Sequence, residues 1–225
     1  MAIVVEPMTE ALLADVVRIH FDAFADYMNT KLGTRYVQAF LSWFATQQDT
    51  VALAATRDGI TVGYVVGAPL GYQRRLNRAL LLEACLGMMI RPWLLLQPRV
   101  IAVCWRKFLM MTGLQENESP ELSLPVPTMN LVGIGVSTEA RGSGVSHSLM
   151  TAFEAVSRSH GMKSLCLTVY RSSTPARRLY EKHGWVSHEG GSMDSLYYFK
   201  TFSEAELGST NSSSRGSGAV HAERM

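Results

Sequence analysis

Arg141-Gly142-Ser143-Gly144 follows an apolar strand, Met129–Val136, and opens a helix on which Val145, Leu149, Ala152, Phe153 and Val156 recur at helical spacing. Gly142 and Gly144 let the backbone turn tightly and approach a ligand without a Cβ in the way. The first N–H groups of a helix have no intrahelical partner, and its dipole is positive at that end. Gly142, Ser143, Gly144, Val145 and Ser146 are therefore a candidate cradle for an anion such as a pyrophosphate, with Arg141 adding a fixed charge at the rim.

A second unit lies one strand further on, beyond Lys163–Tyr170. Ser172, Ser173 or Thr174 can cap a helix with Pro175 in its first turn, and Gly184 sits just past the end. Ala176, Leu179, Tyr180 and His183 share one face of that helix, while Arg177, Arg178, Glu181 and Lys182 point away.

The two units together resemble the GNAT superfamily of coenzyme A-dependent N-acetyltransferases. The family's phosphate motif, Gln/Arg-x-x-Gly-x-Gly/Ala, reads Arg141-x-x-Gly144-x-Ser146 here. Its later motif, roughly Asn-x-x-Ala-x-x-Leu-Tyr-Glu-Lys-x-Gly-Phe, reads Ser173-x-x-Ala176-x-x-Leu179-Tyr180-Glu181-Lys182-His183-Gly184-Trp185. Ser146 adds a hydroxyl with little bulk, Ser173 shortens or hydrates a cofactor contact, and Trp185 is an aromatic exchange of little consequence. The likeness is strong over 127–202, looser over 3–69, and fails over 71–124.

The resemblance implies an α/β fold of the GNAT type: a mixed, mostly antiparallel twisted sheet, splayed at a cofactor cleft, with helices on both faces. It implies acetyl-CoA as co-substrate and no metal. It also implies backbone N–H groups of a bulged fourth strand, at Ile134, Gly135 and Val136, that hold the thioester and pantetheine arm, with Ser173 and Ala176 across the cleft. Transfer of an acyl group to an amine needs the ammonium deprotonated, the oxyanion stabilised and the thiolate protonated. Tyr180 is the candidate general acid, since a phenol near pKa ~10 suits a thiol leaving group. Many relatives carry a glutamate base where this chain has Asn130, which can hold a water or the acceptor but cannot take a proton. Substitute bases are His20, Asp22, Asp26 and Glu83. His147 reads as solvated, and His160 and His183 as helix-terminal residues matched to the dipole.

The elements that would position these groups follow in order. Ile3–Glu6 is a predicted strand, and Thr9–Ala25 and Arg35–Thr46 are predicted helices. Thr50–Thr56 and Ile60–Val66 are predicted strands joined through Asp58-Gly59, a strong hairpin signal, and Asp194–Phe202 is the predicted last strand. The domain is expected over 1–202, with a helical insertion at about 71–124. The Ser- and Gly-rich 203–225 is expected to be a disordered tail.

From Arg74 to Lys107 there are seven basic residues and one acid, a local charge of +6 in a chain of net +2, so the remainder carries −4. Pro92 and Pro98 should break this apolar stretch into short helices. One expectation is a lid of 72–107 over the acceptor end of the cleft, with Tyr72, Arg74 and Arg78 touching an anionic acceptor. Core-capping helices, a homodimer face, or weak contact of 74–107 with an anionic membrane surface use the same residues.

The small net charge argues against bulk nucleic-acid binding. Cys85, Cys104 and Cys166 lack the count and spacing of a disulfide or zinc framework and read as buried thiols. With no signal-like N-terminus, they suggest the cytoplasm. The expected function is direct acetyl transfer to a primary amine of a small molecule. The insertion between the third and fourth strands resembles those of bacterial GNAT proteins of surface-polysaccharide clusters, which implies amino sugars or nucleotide amino sugars as candidates. A silent acyl-CoA-binding module and a protein or peptide N-acetyltransferase are the alternatives.

Overall fold

The computed structural model describes residues 2–25, 27–93, 124–189 and 194–203. Seven strands form one sheet in the order β1-β2-β3-β4-β5-β7-β6. They are β1 (Ile3–Pro7), β2 (Val51–Arg57), β3 (Ile60–Pro69), β4 (Thr128–Val136), β5 (Ser164–Tyr170), β6 (Val186–His188) and β7 (Ser195–Thr201). All neighbours are antiparallel except β4 and β5. The fold is thus the mixed, mostly antiparallel α/β sheet that the sequence led us to expect. Asp58 and Gly59 both take positive φ, 53° and 78°, so the predicted hairpin closes with the tight turn that matches strand twist.

Seven helices are described. Helices α1 (Glu10–Ala23), α2 (Met28–Leu32), α3 (Thr34–Thr46), α4 (Tyr72–Ala79) and α5 (Leu81–Ile90) lie toward one face of the sheet. Helix α6 (Val145–Ser159) covers the other face, and α7 (Thr174–Lys182) packs with it. Each face has its own core. Val16, Ile19, Val37, Leu41, Phe44 and Tyr64 are fully buried on the first, and Leu149, Met150, Phe153, Leu165 and Leu167 on the second. The apolar spacing that predicted α6 is the side that faces the sheet: Val145, Leu149 and Phe153 are all buried.

Strand β6, the short α2 and the break at Leu80 were not foreseen. Three residues are too few to show alternation, and β6 forms because β7 supplies a ladder for it. Leu80 ends α4 in a bridge-like conformation (φ −96°, ψ 3°) and starts α5, so the insertion's first turn comes before either proline. Cys85 is exposed rather than buried. Cys166 is half-buried, and Cys104 and the segment 203–225 beyond Ser203 lie outside the described residues.

Candidate functional site

Strand β4 decides the geometry. Its partners on β3 run Gly63↔Val136, Tyr64↔Gly135, Val65↔Ile134 and Val66↔Gly133, then jump to Gly67↔Leu131. Val132 is therefore an extra residue, a β-bulge that bends the strand. On its other edge β4 pairs with β5 only from Thr128 to Asn130, and the ladder ends at Asn130↔Cys166. From Leu131 on, the two parallel strands diverge.

The gap between them is a cavity of about 910 Å³, within the range of sites for drug- and cofactor-sized ligands. Leu131–Val136 form one wall and Leu167–Tyr170 the other. The Ser137 N–H bonds to Val62 O at 2.9 Å, so the alternation of the antiparallel ladder turns the N–H groups of Ile134 and Val136 away from β3 and into the gap. No described strand pairs with them there, so they are donors at a water-accessible cleft.

Gly133 and Gly135 face the opposite core, and at Gly135 the Tyr64 ring fills the space a side chain would need. A Cβ on Gly135 would lie 2.6 Å from Tyr64 Cε1. The Tyr64 hydroxyl meets His20 Nδ1 at 2.6 Å, and both groups are buried. Burial lowers the His20 pKa from 6.5 to about 4, and its Nε2 has no partner among the described residues. His20 is thus a neutral brace beneath β4 and does not line the cavity.

At the wide end of the gap, a 3₁₀ turn (Thr138–Ala140) leads to Gly142 and Gly144, with φ of 77° and 89°. Gly144 is the N-cap of α6 in the left-handed region, and the first bond of the helix is Ser148 N–H to Gly144 O at 3.1 Å. The N–H groups of Val145, Ser146 and His147 precede that bond and are left over. Arg141, Gly142 and Ser146 line the cavity; Ser143, Gly144 and Val145 do not. The Ser143 hydroxyl is already donated to Ala140 O at 2.7 Å, and the Val145 side chain is in the core. What the turn offers is backbone N–H groups and a positive dipole end, a donor set suited to phosphate oxygens.

Helix α7 forms the far wall through Ser173, Pro175, Ala176, Leu179 and Tyr180. Ser173 is its N-cap, without a side-chain capping bond. Tyr180 is only 5% exposed, and its hydroxyl has no hydrogen-bond partner among the described residues. Its ring lies between Trp185 (5.9 Å) and Tyr198 (5.7 Å). Both neighbours are pinned: Trp185 Nε1–H donates to Glu154 at 2.8 Å, and the Tyr198 hydroxyl donates to Glu181 at 2.7 Å. Glu154 also accepts from Lys200 at 2.7 Å. The indole of Trp185 therefore matters more than the sequence suggested, since a phenylalanine could not make the bond to Glu154. Burial raises the Tyr180 pKa above the ordinary phenol value, with Tyr27 and Tyr198 adding to the shift, so the phenol stays protonated at neutral pH.

Asn130 is placed differently. It sits at the last rung before the gap opens and does not line the cavity. The Cys166 thiol points at Asn130 Oδ1 at 3.7 Å, and Tyr72 makes a hydrogen-bond interaction with the same amide. Burial pushes the Cys166 pKa up to about 12. Tyr72 belongs to this cluster and packs on Trp43 and Phe44, so it too lies off the cavity wall. Arg74 and Arg78 are exposed on α4 and do not line the cavity.

None of the expected substitute bases that are described reaches the cavity either. Asp22 is exposed, Glu83 is paired with Arg35 at 2.6 Å, and Asp26 lies outside the described residues. His147 is exposed but not simply solvated, since its Nδ1 meets His183 Nε2 at 2.8 Å. His160 is the C-cap of α6. Sequence reasoning missed Phe24 and Tyr27 after α1, and Tyr170 at the end of β5, all of which line the cavity. Tyr27 and Tyr170 meet edge-on at 5.8 Å. The only signal was two aromatics just past a helix end.

Residues 96–185 match the Acetyltransferase (GNAT) family. No curated protein matches the sequence. Solved structures share the fold at low identity. The PaiA N-acetyltransferase from Thermoplasma acidophilum, in complex with coenzyme A, aligns with a TM-score of 0.57 and 11% identity over 90% of this chain and 100% of that one. A ribosomal-protein-alanine N-acetyltransferase from Brucella melitensis gives 0.54 and 14% over 88% and 99%. A GNAT-family acetyltransferase from Streptococcus pneumoniae gives 0.53 and 15% over 90% and 100%. The matched segment contains the bulged and splayed β4 and the glycine turn into α6, so over these residues the chain is similar to the GNAT acetyltransferase family.

Proposed function

We propose that this protein binds acetyl-CoA in the gap between β4 and β5 and transfers the acetyl group directly to a primary amine of a small molecule, with amino sugars as first candidates. The observation that carries this reading is the alignment of three donor sets along one cavity. They are the leftover N–H groups at the start of α6, the gap-facing N–H groups of Ile134 and Val136, and the Tyr180 phenol. The pyrophosphate would meet the first, beside Arg141. The pantetheine arm and thioester oxygen would meet the second, where fixed N–H dipoles stabilise developing oxyanion charge.

In the reaction the amine nitrogen attacks the thioester carbonyl carbon. A C–N bond forms, the C–S bond breaks, and the sulfur leaves with the electron pair. Tyr180 gives that sulfur its proton and regains one from solvent, while the amine's surplus proton passes to water. No carboxylate or imidazole lines the cavity among the described residues, so on this reading the acceptor reacts as the free amine. The rate should then rise with pH along the acceptor's own titration rather than that of an enzyme base.

The decisive experiment is thiol release with a panel of amines: amino sugars, nucleotide amino sugars, polyamines, amino acids and N-terminal peptides. Tyr180→Phe keeps the ring and should slow turnover by about 10²–10⁴-fold with little change in cofactor affinity. Gly144→Asp puts a carboxylate and a Cβ at a φ of 89°, and should weaken coenzyme A binding measured by calorimetry. If Gly144→Asp folds and binds coenzyme A as well as the unaltered protein, the cradle reading fails. Turnover only with peptides would replace the small-molecule acceptor.

A further inference from the structure

We propose that the outer face of α5 seats the protein on an anionic lipid surface. A surface helix of a globular protein normally turns polar residues outward. Helix α5 does not. Its inner side is fixed by Gly87, where a Cβ would lie 2.7 Å from the Leu32 carbonyl oxygen of α2, and by Glu83, which pairs with Arg35 of α3. Its outer side is Leu82, 66% exposed, and Met89, 77%, with Trp93 just past the end at 55%. Leu82, Cys85, Met89 and Trp93 recur at i, i+3, i+7 and i+11, which makes one stripe. An uncovered stripe of this kind on a soluble domain marks an interaction site.

Charge decides the occupant. Arg74 and Arg78, on α4 just before the stripe, are exposed and have no partner among the described residues. The other α4 arginine, Arg75, is already spent on Asp49 at 2.6 Å and on the Trp43 ring. A symmetric second copy would offer these same two helices, whose one described acid, Glu83, is already paired with Arg35, and so no partner for Arg74 and Arg78. An anionic headgroup layer satisfies both features at once, because arginines meet headgroups while the Leu82 and Met89 side chains enter the acyl boundary. A tryptophan at the edge suits that interface. No described helix is long and apolar enough to cross a membrane, so the contact lies in the plane of the surface. This face is separate from the cavity, since no residue of α4 or α5 lines it.

The test is sedimentation of the full chain with phosphatidylcholine vesicles, with and without about one third phosphatidylserine. The protein should pellet with the anionic vesicles and far less with the neutral ones, and added salt should release it. Arg74→Gln with Arg78→Gln should lower the partition coefficient by about thirty-fold, from roughly five-fold for each basic residue at such a surface. Leu82→Gln with Met89→Gln should also release the protein, and both pairs should leave coenzyme A binding in solution unchanged. Absent or lipid-independent sedimentation overturns the proposal. So does a dimer that Leu82→Gln with Met89→Gln dissociates, which would make the face a self-contact. A fall in melting temperature of more than a few degrees in that pair also overturns it, because the face would then be covered by the protein's own chain.

Discussion

Gly135→Ala tests the brace beneath the cleft directly. The new Cβ would sit 2.6 Å from Tyr64 Cε1, 3.2 Å from Cζ and 3.3 Å from Cδ1. Carbon atoms in contact settle at about 3.5–4.0 Å, so ring and strand must separate by roughly 1 Å. Tyr64 cannot retreat, because it is fully buried and its hydroxyl is held by His20 at 2.6 Å. Strand β4 must therefore move toward the gap. Overpacking of this kind costs about 1–3 kcal/mol. For a chain of this size that is a melting temperature lower by about 2–12 °C. The same shift misplaces the N–H groups of Ile134 and Val136 on either side. Losing one well-set hydrogen bond, about 1 kcal/mol, weakens coenzyme A binding by about five-fold. Thermal unfolding and calorimetry measure the two effects. A cycle with Tyr64→Leu isolates the clash, since the double variant should be more stable than the two single losses predict, by about 1 kcal/mol or more. Additive losses, or an unchanged melting temperature in Gly135→Ala, would refute the brace.

Two further outcomes follow from buried polar groups. His20 has a folded pKa of about 4 against 6.5 unfolded, so the folded state binds fewer protons between those values. Its contribution is complete above pH 6.5 and is lost as pH falls toward 4, by about 3 kcal/mol in the limit. Chemical denaturation at pH 7 and near pH 4.5 should show that loss, and His20→Gln should flatten it. Glu154→Ala removes the acceptor shared by Lys200 and the Trp185 indole, which leaves a partly buried ammonium without its counter-ion and bonded only to the His183 carbonyl among the described residues. It should destabilise the fold by about 3 kcal/mol or more in urea titrations, with Glu154→Gln milder because it keeps the bond to Trp185.

Much of the fold was legible because the signals were local. The helical period from Val145 to Val156, the positive-φ demand of Asp58-Gly59 and the glycines flanking Arg141 and Tyr180 each act within a few residues, so the chain alone fixes the elements they create. The candidate phosphate cradle followed from them, and the α/β class from the family resemblance that their motifs carry. The sequence could not say where side chains point once strands pair. Asn130 and Tyr72 fell into one partly buried cluster with Cys166 because the β4–β5 ladder ends at that rung, and ladder length is a tertiary property. Tyr27, with Phe24 edge-on beside it, came to meet Tyr170 only through the packing of α1 against the sheet. Arg74 and Arg78 carried the expected charge, yet burial of Tyr72, Leu76 and Leu80 on the inner side of α4 turned them to solvent and away from the cavity. Sequence spacing set which groups this protein owns and on which helix face they lie. Strand register, the bulge at Val132 and the early end of one parallel ladder decided which of them meet, because those depend on contacts between residues far apart in the chain.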